Sequence, residues 1–556
     1  MASSAIAGLG LDGLPWPMLL WTVFFTLAIY STWKIWIYPE YFSPIRNYPG
    51  PPVEAWFLGE QRKVFADETG KLHKQWFKKY GPLIQYRTFA GEQVIATSDP
   101  KAISYMLMQK TNTFPKPHEE VRGLERLTGR GLLTVEGDIH RRQRKIMSPS
   151  FTQLQTNTYL PIMTEQAEKL AECLDKVIDS EKTANDSTLV NMCNWLSRCT
   201  LEVISIAGFD YKVGSLERDN HELIDAFNLM LRPRPLTPLL FLTIRLINKM
   251  PILAKLPFPG IKAAKASMAL MQEEAKAMLG KKLEMIHTGE LEDKKDLLSC
   301  IVKANKLATS EKDRMKDEEI MGTVATFLLA GHETSSTALT FLLHLLSLHK
   351  DVQDKLRKEV QEAYRTAEQE GRSSLTADDL SSLAYLDAVV RETLRVLPPV
   401  PMTIREATQD EILPLSEPIK GKDGQMISEV FVPAGCTVAI DITVVNLHKE
   451  IFGDDAEVFR PERWLENEGE LHKLPRAFCA WTPILSFLGG PRGCIGYRFA
   501  VMEIKAITSV LVNKFEFSPG PDPVTFRTNI VARPVLENKL QDGVQLPLYI
   551  RKAAAV

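Results

Sequence analysis

Cysteine is scarce in this chain, and what there is has no regular spacing. Seven cysteines occur in 556 residues. The number is odd and no Cys-x-x-Cys pair is among them, so neither a disulfide framework nor a zinc ribbon is encoded. Free thiols of this kind suit a reducing compartment. Charge of one sign is lacking too. Sixty-seven basic and 69 acidic residues leave a formal net charge of −2, which gives no electrostatic footprint for nucleic acid. No glycine-rich turn is followed by Gly-Lys-Ser/Thr, which excludes a phosphate loop. No nicotinamide- or flavin-binding unit is visible. No internal repeat or low-complexity tract stands out, which leaves a globular body instead of a repeat array.

Long apolar runs are few, and each is informative. Residues 14–33 carry no charge and are long enough to span a bilayer as a helix. Trp16, Trp21, Tyr30, Trp33, Trp36 and Tyr38 gather toward its ends, as interfacial aromatics do. No Lys or Arg precedes the run, whereas Lys34, Arg46, Arg62 and Lys63 follow it, so the positive-inside rule leaves the body in the cytosol. A cleaved signal peptide would want a basic start and a shorter apolar core. An uncleaved anchor over 1–38 is the expectation. Tyr48-Pro49-Gly50-Pro51-Pro52 then reads as a stiff hinge over 39–52, ahead of a body from 53 to 556. Asn185-Asp186-Ser187 is a glycosylation triplet that a cytosolic body leaves unmodified.

In the body, 85–89 and 93–97 read as a short hairpin. Helical patterns dominate from Pro100 to about Leu397, with polar loops at 179–187, 288–296 and 365–379. A second hairpin turns at Asp423-Gly424, and 438–445 reads as a short strand. The stretch 236–259, rich in Pro and Leu, reads either as an interfacial segment or as a buried loop. The fold expected is mainly α with small peripheral β-sheets, behind one N-terminal transmembrane helix.

The second apolar run, 320–348, is interrupted by Ala330-Gly331-His332-Glu333-Thr334-Ser335. Charge at that depth in lipid is costly, so a long helix buried in protein fits better than a second span. Ala330 and Gly331 are small enough to let a ligand approach. Thr334 is placed to bond the Ala330 carbonyl, and Glu333 is an acid able to relay protons. A satisfied polar patch in a core helix is the plainer reading of the same hexapeptide.

Phe487-Leu488-Gly489-Gly490-Pro491-Arg492-Gly493-Cys494-Ile495-Gly496 sets one cysteine in a glycine-rich loop ahead of a mostly apolar helical stretch. Alone, Cys-x-Gly is usually a small core residue. In this loop it has the look of a soft-metal or haem ligand held by one sulfur.

The spacing Phe-x-x-Gly-x-Arg-x-Cys-x-Gly resembles the haem-binding loop of the cytochrome P450 family. Ala330 to Thr334 resembles that family's oxygen-activation segment, with Glu333 where many members carry Asp. Glu392 and Arg395, which read alone as an exposed i, i+3 ion pair, together with Arg463 of Phe459-Arg460-Pro461-Glu462-Arg463-Trp464, resemble its Glu–Arg–Arg network. His140-Arg141-Arg142-Gln143-Arg144 resembles its Trp-x-x-x-Arg helix, with His140 in place of Trp.

The resemblance covers nearly the whole chain and implies one cytochrome P450 domain. It implies haem b on Cys494, with Phe487, Ala330 and Gly496 beside it. Arg144, His140, Arg405 and Arg492 would meet the propionates. Glu333 and Thr334 would deliver protons. One oxygen atom of O2 would enter a lipophilic substrate. Electrons would come from a membrane-bound NADPH-cytochrome P450 reductase, for which Arg141, Arg142 and Lys145 are docking candidates. The family's pocket segments fall near 119–132, 225–255, 324–334, 400–403 and 530–534. The chain looks like fungal members of secondary metabolism on the endoplasmic reticulum, many acting on terpenoids. Fatty-acid or xenobiotic hydroxylation, a reductase-independent isomerase or peroxygenase, and a haem sensor are the alternatives.

Overall fold

The computed structural model describes residues 16–55, 57–66, 68–180, 187–217, 226, 238–250, 259–288, 290–308, 310–466 and 482–554. The longer helices are α1 (Trp16–Thr32), α2 (His118–Thr128), α3 (Gly137–Met147), α4 (Gln153–Ser180), α5 (Met192–Phe209), α6 (Pro238–Lys249), α7 (Pro259–Thr288), α8 (Leu297–Leu307), α9 (Asp317–Leu348), α10 (Lys350–Gln369), α11 (Ala384–Val396) and α12 (Tyr497–Lys514). The mainly α body with small sheets is as the sequence implies.

Helix α9 is the axis of that body. Its first turn carries Asp317, Glu318 and Glu319, favourable at the positive end of a helix dipole, and Lys316 N–H donates to Glu319 Oε2 at 2.8 Å. Beyond this turn it is buried on nearly every side, with apolar residues on either side of the polar stretch 330–337. It crosses α5 closely because Gly331 has no side chain: a Cβ there would meet Ile204 Cγ1 at 2.8 Å. The smallness expected to admit a ligand at Gly331 therefore serves this crossing.

A four-stranded sheet lies to one side, in the order β1 (Leu83–Arg87), β2 (Gln93–Thr97), β7 (Thr437–Asp441), β4 (Met402–Glu406); β2 and β7 run parallel and the other pairs antiparallel. Strands β5 (Glu411–Lys420) and β6 (Met426–Val432) form the second hairpin. A three-stranded sheet joins β3 (Thr188–Asn191), β11 (Pro547–Lys552) and β8 (Phe515–Pro519), and β9 (Val524–Thr528) pairs with β10 (Ala532–Leu536). The strand expected over 438–445 stops early. Asp441 accepts from Val444 N–H at 2.9 Å and caps a short helix, Ile442–Asn446. The loop expected over 365–379 starts later, because α10 runs on to Gln369. Of the 179–187 loop and the glycosylation triplet, residues 181–186 lie outside the described residues.

At the N-terminus, the helical stretch Leu20–Phe42 is long and apolar enough to cross a membrane. Leu20, Trp21, Phe24, Phe25 and Ile29 all stand exposed on it, an apolar surface that lipid would cover. Its lower end, a π-helical continuation Trp33–Phe42, is tied to the β1–β2 hairpin by the Glu40–Arg87 ion pair. Residues 43–50 pack into the body: Ile45 and Tyr48 are buried, and the Tyr48 hydroxyl donates to Phe431 O at 2.9 Å.

Helix α6 is docked on α2. Arg126 donates to Asn248 Oδ1 at 2.8 Å and to Ile247 O at 2.6 Å, and Arg245 pairs with Glu92 and Glu119. Ile247 is buried while Ile244 and Leu246 face outward. This part of 236–259 is thus a half-buried amphipathic helix; residues 236–237 and 251–258 lie outside the described residues.

Candidate active site

The cysteine loop is shaped by its own backbone. Cys494 N–H donates to Phe487 O at 2.7 Å, closing the turn, and Leu488 and Gly490 take positive φ of 53° and 70°. Gly490 is needed there, since a Cβ would meet Leu107 O at 2.3 Å. Gly496 ends the loop with Phe151 3.7 Å from where its Cβ would lie. Phe151 stacks in turn on Phe327 of α9, with centroids 5.3 Å apart, one turn before Ala330. Phe151 thus bridges the cysteine loop and the polar hexapeptide. Cys494 itself is exposed. Among the described residues no group of three or more His, Cys, Asp or Glu could hold a metal, so a site here rests on one sulfur.

Around the loop the structure collects positive charge. Arg144 donates to Gly493 O at 2.7 Å, and Arg492 donates to Val135 O at 2.8 Å and pairs with Glu136. Arg405 is buried and donates to Thr403 Oγ1 and Ile404 O, both at 2.7 Å. Lys116, unnoticed in the sequence, joins them. Burial, with Arg405 and Arg492 as charged neighbours, lowers its ammonium to about 7. Burial also lowers all three guanidiniums; the facing Cys494 partly offsets this for Arg144, as Glu120 does for Arg405. His140 is buried and lowered to about 4, by desolvation first and then by Arg144 and Lys116, so it is neutral at pH 7. Among the described residues three guanidiniums, with Lys116 about half protonated at pH 7, share two nearby carboxylates, Glu120 and Glu136. A buried excess of this kind fits a dianionic ligand. A haem with two propionates over a cysteine sulfur matches that donor set.

The relay candidates lie in mid-α9. Thr334 Oγ1 donates to Ala330 O at 2.7 Å, the bond its spacing anticipates. Glu333 is buried and ion-paired with Arg533 of β10, a partner 200 residues distant that no local pattern reveals. His332 beside it is fully buried; its Nε2 lies 2.7 Å from Ser197 Oγ and its Nδ1 3.6 Å from Glu333 Oε1. Of the reductase-docking candidates, Arg141 and Lys145 are exposed. Arg142 is turned onto Glu319 at 2.5 Å and Lys312 O at 3.2 Å.

Glu392, Arg395 and Arg463 come together, all fully buried, where the sequence pattern alone suggested an exposed pair. Glu392 accepts from Arg395, Arg463 Nε, Arg460 N–H and Trp464 Nε1, at 2.7 to 3.2 Å. The 446–464 segment covers the face of α11 that carries the pair. Arg395 donates onward to Asn446 O, whose side chain holds Leu485 N–H and Ser486 Oγ at the mouth of the cysteine loop.

Glu503 on α12 is a further buried acid. Burial pushes it up to about 8, and a hydrogen bond from Ser335 opposes the shift. A carboxyl raised in the fold above its ordinary 4.5 stabilises fully below that value. The contribution falls as pH rises and is gone above about 8. Glu503→Gln is therefore expected to match the parent near pH 5 and to exceed it by a few kcal/mol near pH 8, in paired thermal melts.

The fold is that of a haem-dependent oxidoreductase. The chain belongs to the cytochrome P450 family, whose model, Cytochrome P450, matches residues 49–541. It is a monooxygenase of fungal type. Cytochrome P450 monooxygenase 205 of Postia placenta is 37% identical over 92% of this chain and 93% of its own. Ganoderic acid synthetase CYP5150L8 of Ganoderma lucidum is 32% identical over 92% and 94%. Cytochrome P450 monooxygenase claW of Ampulloclitocybe clavipes is 31% identical over 90% and 92%.

Proposed function

We propose that the chain binds haem b through the Cys494 thiolate and hydroxylates a lipophilic secondary metabolite of terpenoid type. The observation that carries this reading is the cluster of Arg144, Arg405 and Arg492 around the cysteine loop, with Lys116 beside them and, among the described residues, fewer carboxylates than guanidiniums. The haem supplies O2 activation and insertion of one oxygen atom into a C–H bond, using two electrons from NADPH and two protons, with water as coproduct. The guanidiniums would hold the propionates, with His140 as a neutral neighbour, and Phe487, Ala330 and Gly496 would lie beside the haem. Glu333 takes protons from solvent and Thr334 hands them on. The anchor 1–38 and the segment 39–52 set the catalytic body, 53–556, on the cytosolic face of the endoplasmic reticulum, beside an NADPH-cytochrome P450 reductase. Membrane placement favours greasy substrates, and a relative named for ganoderic acid, a terpenoid, supports that class.

The test uses the full chain co-reconstituted with such a reductase in lipid vesicles. Terpenoid, fatty-acid and aromatic panels are compared by mass spectrometry. A terpenoid gaining one oxygen atom, dependent on NADPH and O2, is expected. Turnover of fatty acids alone would overturn the substrate class. Turnover with peroxide but not with NADPH would overturn the reductase-dependent reading.

A further inference from the structure

Arg533 and Glu333 form an ion pair deep inside the protein, with 5% and 2% of each residue exposed. Taking two charges out of water costs several kcal/mol each, so a pair like this is a weak choice for stability alone. It also joins two elements with different tasks. Glu333 lies on α9 next to Thr334. Arg533 lies on β10 beside the 529–531 turn, and β10 is held to the 399–405 segment by a bond from Ala532 N–H to Pro399 O at 2.8 Å. Among the described residues Arg533 and neutral His332 face the carboxylate, and the Cys193 thiol of α5 interacts with Arg533. Arg533 alone among these supplies charge of the opposite sign. Burial pushes its guanidinium down to about 10, still a full cation at pH 7.

Resting on the monooxygenase reading above, the geometry points to Arg533 as a positioning residue that holds Glu333 ionised and aimed, so that the carboxylate can accept a proton and release it to Thr334. The proton balance is closed: Glu333 gains one proton from solvent and passes one on, while Arg533 keeps its charge throughout. Without Arg533 the buried carboxyl would hold its own proton, since burial disfavours the charged form. Proton delivery would slow, and electrons from NADPH would reduce O2 to hydrogen peroxide instead of yielding product.

The test compares Arg533→Gln, Arg533→Lys, Glu333→Gln and the double variant Glu333→Gln/Arg533→Gln as holoenzymes. The double variant buries no charge, so it keeps the comparison open even where Arg533→Gln fails to fold. Infrared difference spectra are expected to show a protonated-carboxyl band in Arg533→Gln that is absent from the parent and from Arg533→Lys. Product formed per NADPH is expected to fall about tenfold in Arg533→Gln, with peroxide rising to match. Arg533→Lys should recover most of it, and the double variant should couple no worse than Glu333→Gln alone. A double variant much worse than Glu333→Gln, an Arg533→Lys no better than Arg533→Gln, or parent-like coupling without the carboxyl band in Arg533→Gln would each overturn the assignment. Loss of the reduced carbon monoxide band near ~450 nm in the parent enzyme would instead overturn the haem-thiolate reading.

Discussion

Cys494→Ser is expected to fold, to remain in the membrane and to lose both the reduced carbon monoxide band near ~450 nm and all NADPH-driven oxygenation. Little in the packing resists the change. Serine is close to cysteine in size, and the loop is closed by the Cys494 amide on Phe487 O, a backbone bond that serine keeps. The electronic change is large, because a hydroxyl at neutral pH does not supply the anionic sulfur that shifts the band. Bound haem with the band displaced to shorter wavelength, and a circular dichroism spectrum like the parent's, is the expected pair of observations. A Cys494→Ser protein that kept the band would remove Cys494 as the ligand. A protein that lost both haem and fold would show the loop to be structural first. Gly490→Ala separates these cases, since a Cβ there meets the Leu107 carbonyl while the sulfur is untouched.

What the sequence discloses here is local, and what it conceals is relayed across the chain. The Thr334–Ala330 bond follows from four-residue helix geometry and could be read directly. The β1–β2 and β5–β6 hairpins follow from alternation and turn residues. The run 320–348 reads as a buried helix because charge in its middle makes lipid costly. By contrast, Arg533 is a lone arginine in a short apolar strand, and nothing nearby in sequence names Glu333 as its partner. Lys116 and Glu120 look like ordinary surface charges until Arg405 and Arg492 arrive beside them. Gly331 looks free for a ligand until Ile204 of α5 is seen to need the space. Each of these depends on which elements cross, a choice made by the core as a whole rather than by any window of residues.

Glu392→Ala is expected to prevent recovery of folded, haem-loaded protein, and the three members of this knot should differ in a set order. Among the described residues Glu392 is the carboxylate paired with Arg395, and both are 0% exposed. Removing it strands a buried guanidinium and costs about 3–5 kcal/mol, a large share of a typical folding free energy. The damage passes to the site, because Arg395 also carries Asn446, which in turn carries Leu485 and Ser486. Arg395→Lys keeps a charge but loses the two-pronged contact with Glu392 and the bonds to the 456 and 458 carbonyls, so an intermediate yield is expected. Arg463→Ala should be mildest. Its second partner, Asp455, is 39% exposed, and its carboxyl, now lowered to about 2 chiefly by Arg463, can return to water when the guanidinium is gone. The ~450 nm absorbance per milligram of purified protein, with chemical denaturation of whatever is recovered, gives the ranking. Equal losses from all three would mean that the knot acts as one unit. A Glu392→Ala protein with parent-like stability would mean that the cysteine loop stands without it.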